Sequence, residues 1–161
     1  MNEDTCLDPD WYGIGFDDGS SGFGPERIEH HRAACSSFGS EPDIEAWRAG
    51  REDGLTHFCS AAGGIAEGSR GRIRSGVCPA ELEAGFREGF RLGREIYDTN
   101  QELDRVEREI RALEARSSGT VLGAAIKDNS EARIRALEAE YDRLARSLRL
   151  LELRADRLAR E

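Results

Sequence analysis

The sequence predicts an all-α protein: a small glycine-rich helical head braced by disulfides over residues 1–95, followed by a C-terminal antiparallel, coiled-coil-like hairpin over residues 96–161. Three observations predict it. A Gly-x-x-acid-Gly box recurs every 35 residues, at Gly15/Gly19, Gly50/Gly54 and Gly85/Gly89. Two heptad seams fill the last part, and all four cysteines lie in the first. Glycines four apart share one helix face and let another backbone approach, at a cost of about 1 kcal/mol of helix propensity each relative to alanine.

The first two boxes sit on helices expected over residues 10–22 and 43–58, entered from Pro9 and from Glu41-Pro42. A short helix over residues 28–37 between them places His30 or His31 near Cys35 on one side. A period of 35 resembles helix-turn-helix solenoids, but only the glycine box repeats. The three box helices are therefore expected to meet through their glycine faces, with Trp11, Tyr12, Phe16, Trp47, Phe58, Phe86 and Phe90 filling the core.

Pro79 suits the first turn of a helix, and no further proline interrupts the run to Arg116, so the third box and the first heptad arm read as one helix. Its seam is Ile96, Thr99, Leu103, Val106, Ile110 and Leu113. Ser117-Ser118-Gly119 breaks it. The second seam runs Ile134, Leu137, Tyr141, Leu144, Leu148, Leu151, Ala155 and Leu158, opened by Asp128 and Glu131 in a capping-box spacing. Thr120 to Lys127 is expected to connect the arms with a short helical turn. Pairs such as Asp104/Arg108, Glu107/Arg111, Asp142/Arg146 and Asp156/Arg160 dress the outer faces.

Charge separates the two parts. Residues 1–95 carry 10 basic and 18 acidic side chains, and residues 96–161 carry 13 and 14. Nucleic-acid binding draws on clustered Lys and Arg, so an acidic head argues against a nucleic-acid backbone as the main partner, and no nucleic acid is expected. No run reaches the length of a membrane helix. The N-terminus lacks a signal-peptide profile, which leaves peripheral anchoring to a longer precursor.

Cys6, Cys35, Cys59 and Cys78 allow three connectivities. Cys6–Cys35 and Cys59–Cys78 are expected, since each pair brackets a Gly- and Ser-rich stretch. The competing chemistry is metal binding by His31 with Cys35 and His57 with Cys59, residue types that suit zinc or copper. No GxSxG, HExxH or Walker motif is present. The run from Gly63 to Gly71 lacks the Lys-Ser/Thr of a phosphate cradle and reads as a surface loop held by Cys59 and Cys78. Its arginines Arg70, Arg72 and Arg74 are the groups there able to meet a carboxylate or phosphate. Asp18, Asp53 and Glu88 of the boxes are expected to cap helices or pair with arginines such as Arg51, Arg91 or Arg94.

The ordered set Cys6, Asp10-Trp11-Tyr12-x-Ile14-Gly15-Phe16-x-Asp18-Gly19, His31-Arg32-Ala33-Ala34-Cys35, Gly50-Arg51-Glu52-x-Gly54-Leu55-x-x-Phe58-Cys59 and Gly76-Val77-Cys78-Pro79 resembles the DUF2799 family of bacterial envelope proteins. The resemblance covers residues 6–95 and implies the periplasm or cell envelope, often with a lipid anchor. It supplies no catalytic residue and no cofactor. Phe58 stands where relatives tend to have Tyr. The resulting expectation is a non-catalytic scaffold or protein-binding module whose hairpin docks another protein or self-associates as a homodimer. A metal-handling or redox protein is the alternative.

Overall fold

The computed structural model describes residues 3–72, 76–117 and 124–160, with side chains in the last segment described from residue 129. Seven α-helices are present among these residues, and no strand: α1 Glu3–Leu7, α2 Trp11–Ser20, α3 Arg27–Cys35, α4 Ile44–Phe58, α5 Ala61–Ser69, α6 Ala80–Ser117 and α7 Ala124–Leu158. Three helix starts follow from side chains that accept a backbone N–H of the first turn. Asp10 accepts from Gly13, Asp43 from Ala46 and Ser60 from Gly63.

The head is built from two helix pairs, α2 with α4 and α5 with α6, where the box pattern predicts three helices meeting together. Within each pair the contacts are reciprocal. A Cβ on Gly15 would lie 2.0 Å from the Trp47 carbonyl oxygen and one on Gly50 would lie 1.9 Å from that of Tyr12. Gly64 and Gly89 stand in the same relation to the carbonyls of Phe86 and Ala61, at 2.1 and 2.0 Å. One turn further on, Gly19 faces Arg51, Gly54 faces Phe16, Gly68 faces Phe90 and Gly93 faces Ile65. Residue numbers rise together along both contacts, so the helices of each pair run parallel. α3 returns the chain in the first pair, and the segment between Arg70 and Pro79 returns it in the second.

The run from Gly63 to Gly71 is not a loop: most of it is α5, whose Gly64 and Gly68 let α6 come within backbone contact. Gly85 is not a packing glycine, because nothing lies within 4 Å of a Cβ built on it. The working pair on α6 is Gly89 and Gly93, one helical turn later than the 35-residue spacing indicates.

Both expected disulfides are present, Cys6–Cys35 and Cys59–Cys78, with Cα separations of 5.3 and 5.6 Å. Each links the chain just ahead of the first helix of a pair to the chain just ahead of the second. Cys6, Trp11, Ile28, Cys35 and Trp47 form one core. Leu55, Phe58, Cys59 and Phe86 form a second, which joins the two pairs through Phe58 stacked on Phe86. Tyr12, expected in the core, is 44% exposed.

α6 continues through residue 95 without a break for 38 residues, about 57 Å at ~1.5 Å per residue. α7 runs back along it, with Arg133 on Glu109 at 2.8 Å and Arg105 on Glu140 at 3.5 Å. Leu103, Val106 and Leu137 of the two seams are buried. Near the head, Leu148, Leu151, Ala155 and Leu158 cover Leu92 and Ile96 of α6 and Ile65 of α5. Of the outer pairs named above, Glu107–Arg111 closes at 3.2 Å. α7 starts at Ala124, four residues before the cap expected at Asp128, whose side chain lies outside the described residues. Residues 118 and 119 of the expected break also lie outside them.

Candidate functional site: two buried carboxylates and a cavity

Asp18 sits on the buried side of α2, one residue before Gly19, and is 6% exposed. A carboxylate taken out of water must find donors or pay a large desolvation cost. Here Trp47 Nε1 donates to its Oδ2 at 2.9 Å, His31 Nε2 lies 2.6 Å from the same atom, and Arg27 Nε reaches Oδ1 at 3.4 Å. Asp18 thus ties α2 to α3 and α4. Arg51 adds a second tie by donating Nε to the Phe23 carbonyl at 2.9 Å, and its burial lowers the guanidinium below the ordinary arginine range. Both partners in the Asp18–His31 pair are almost fully buried, so the arrangement is a clamp on the fold and not a surface a substrate reaches.

Glu67 holds the matching place in the second pair, one residue before Gly68, and is also 6% exposed. The local backbone repeats as well. Gly22 and Gly71, each three residues beyond the second packing glycine, have φ of 69° and 68°, a left-handed conformation that glycine adopts without strain. The next residues, Phe23 and Arg72, donate their N–H to the carbonyls of Asp18 and Glu67. Rings at corresponding places close over these turns, Phe58 on Gly22 and Tyr97 on Gly71.

The surroundings of the two acids differ. Where α4 presents the indole of Trp47, α6 presents Phe86, which has no donor. Glu67 Oε1 is met by Arg70 Nη1 at 3.3 Å and Arg72 Nη1 at 3.5 Å, and both arginines are 55% exposed. They stand in the wall of a cavity of about 410 Å3 at the junction of the two pairs, together with Ser20, Phe23, Phe58 and Ala66. A second, more open concavity of about 840 Å3 is acidic, edged by Asp4, Asp8, Asp10 and Asp17. Beside it Tyr12 donates to Asp53 at 2.5 Å, which raises the phenol above the usual tyrosine range.

The proposed metal ligands are dispersed into other roles. His31 is held by Asp18, the sulfurs of Cys35 and Cys59 are in separate disulfides, and His57 packs edge-on against Phe16 at 5.5 Å. Among the described residues no group of three or more His, Cys, Asp or Glu is arranged to hold a metal ion. Asp53 pairs with Tyr12 instead of an arginine, Glu88 is exposed, and Arg74 lies outside the described residues. The equivalence of Asp18 and Glu67 is written in the sequence as Asp18-Gly19-x-x-Gly22 and Glu67-Gly68-x-x-Gly71, a match that falls outside the 35-residue spacing of the boxes.

No curated protein and no solved structure matches the chain. The family model described as a protein of unknown function (DUF2799) matches residues 10–95, which span α2 through the head end of α6, so the chain belongs to the DUF2799 family.

Proposed function

We propose that this is an exported protein of the periplasm or cell envelope, a non-catalytic scaffold whose disulfide-braced head carries a helical stalk for association with a second copy of the chain. Two disulfides are stable in an oxidising compartment and rare where thiols are kept reduced. No helix among the described residues is long and apolar enough to cross a membrane. The observation that carries the association is on α7, where Leu150 and Leu153 lie outside the seam and are 67% and 56% exposed. Two helices alone leave such faces uncovered, whereas two hairpins side by side form a four-helix arrangement that buries them. The stalk's nearly balanced charge imposes little mutual repulsion. Light scattering on the intact, oxidised protein tests the reading: a dimer is expected, and a monomer at every concentration overturns it.

A further inference from the structure

We propose that the cavity at Glu67, Arg70 and Arg72 binds the carboxylate of a small organic monoanion with a short apolar tail, either a free acid or the C-terminal end of a peptide. The proposal does not depend on stalk association.

The comparison between the two helix pairs carries it. In the first pair the buried acid is held by a buried indole and a buried imidazole, with Arg27 reaching its other oxygen at 3.4 Å. In the second, Phe86 replaces the indole, and the compensating cations come from the turn after α5. The result is a cavity wall bearing two half-exposed guanidinium groups. Each reaches Glu67 through one nitrogen, while a guanidinium carries five N–H donors in a planar fork, so most remain for another acceptor. Such forks match the two oxygens of a carboxylate.

Charge selects the anion. The described arginines of this wall, Arg70 and Arg72, outnumber its one carboxylate, Glu67, so the wall favours an anion in an otherwise acidic head. Ser20, contributed by the first pair, has a buried Oγ with no protein hydrogen-bond partner and stands in the same wall, where it can donate to a carboxylate oxygen. Phe23, Phe58 and Ala66 supply apolar surface for the tail. Ligand pockets commonly combine an apolar lining with a few convergent polar groups, and about 410 Å3 is within their usual size.

The test is an NMR titration of the full-length, oxidised, 15N-labelled protein with four probes: sodium propionate, inorganic phosphate, tri-alanine with a free carboxyl end, and the same peptide amidated. Saturable amide shifts confined to Ser20–Phe23, His57–Phe58 and Ala66–Arg72 are expected with propionate, with the free-ended peptide, or with both. Which of the two binds more tightly identifies the source. Each variant loses one charge-assisted contact, so Arg70→Gln and Arg72→Gln should each weaken binding about tenfold or more. Arg72→Gln removes a half-exposed side chain with one long contact, and an unchanged melting curve for it separates lost binding from lost fold. Absence of saturable shifts, preference for phosphate over both carboxylates, equal binding of the amidated peptide, or undiminished binding by Arg72→Gln would each overturn the proposal.

Discussion

Asp18 and Glu67 occupy the same place in two copies of one arrangement, each buried on its helix one residue before the second packing glycine and four residues before a left-handed glycine. The arrangement is a parallel pair of glycine-faced helices with a disulfide at its entrance. The two copies share a backbone plan and differ in how the acid is neutralised. The first clamp serves the fold.

Replacing Trp47 by Phe imitates the aromatic found in the second pair and deletes the indole donor to Asp18. The shape of the core is largely kept, so the change isolates a buried hydrogen bond to a charged group. Denaturant unfolding should show a loss of about 1.5–3 kcal/mol. A stability equal to the parent's would mean that the other donors satisfy Asp18 without Trp47.

The glycines divide into two classes that substitution separates. Gly89 and Gly50 face a carbonyl oxygen of the paired helix at about 2 Å from any added Cβ, so Gly89→Leu and Gly50→Leu must push the helices apart, costing about 1–3 kcal/mol or more. Gly85 faces open space within a helix. Gly85→Ala should raise stability by roughly 0.5–1 kcal/mol, because alanine loses less backbone freedom on folding. Thermal melts of the three variants decide it, and Gly50→Leu and Gly89→Leu melting at or above the parent temperature would refute the close-approach account.

The cysteines give a compositional check. Among the described residues no cysteine is free, so mass analysis of alkylated, unreduced protein matured in the periplasm should show no modified thiol. Reduction opens closures of 29 and 19 residues, and the chain-entropy relation assigns each about 3–4 kcal/mol. Four alkylatable cysteines in the native material would contradict the braced head.

Tyr12 predicts an alkaline effect. Its hydroxyl donates to Asp53, and that hydrogen bond is the main reason its ionisation is displaced upward from the ordinary tyrosine range. A folded-state value above the unfolded one means that the contribution is complete below about pH 10 and is lost as pH rises through the folded-state value. Ultraviolet titration should show a delayed tyrosinate phase that Tyr12→Phe or Asp53→Asn removes. An unaltered titration curve in both variants would show that the contact does not persist in solution.

Much of this architecture is legible in the sequence because the signals are local. Asp10 and Asp43 mark helix starts by capping chemistry, and the heptad seams through Val106 and Leu137 place those side chains at the buried interface. Other features needed tertiary context. Gly63, Gly64 and Gly68 disfavour a helix locally, by about 1 kcal/mol each, and only the approach of α6 makes α5 favourable. The same approach separates Gly93, which packs, from Gly85, which does not, although the regular spacing singles out Gly85. Tyr12 has the hydrophobic body of a core residue, yet its hydroxyl turns outward to Asp53. His31 and Cys35 share a helix as expected, but Asp18 claims the imidazole and Cys6 the sulfur.

The last prediction concerns α7. The cluster of Leu92, Ile96, Ile65, Leu148, Leu151, Ala155 and Leu158 holds the stalk's base against the head, so removing residues 96–161 would uncover the head's own apolar surface and confound association with unfolding. Leu150 and Leu153 avoid that difficulty. Both are already more than half exposed and contribute little to the monomer's core. In a dimer they would sit between the two hairpins, where a carboxylate faces its own symmetry mate and is stripped of water. Leu150→Glu with Leu153→Glu should therefore convert a dimer to a monomer in light scattering while the circular dichroism melt of the monomer, measured at high dilution, stays within about 0.5 kcal/mol of the parent. A double variant that remains dimeric would place the interface on another face of the molecule.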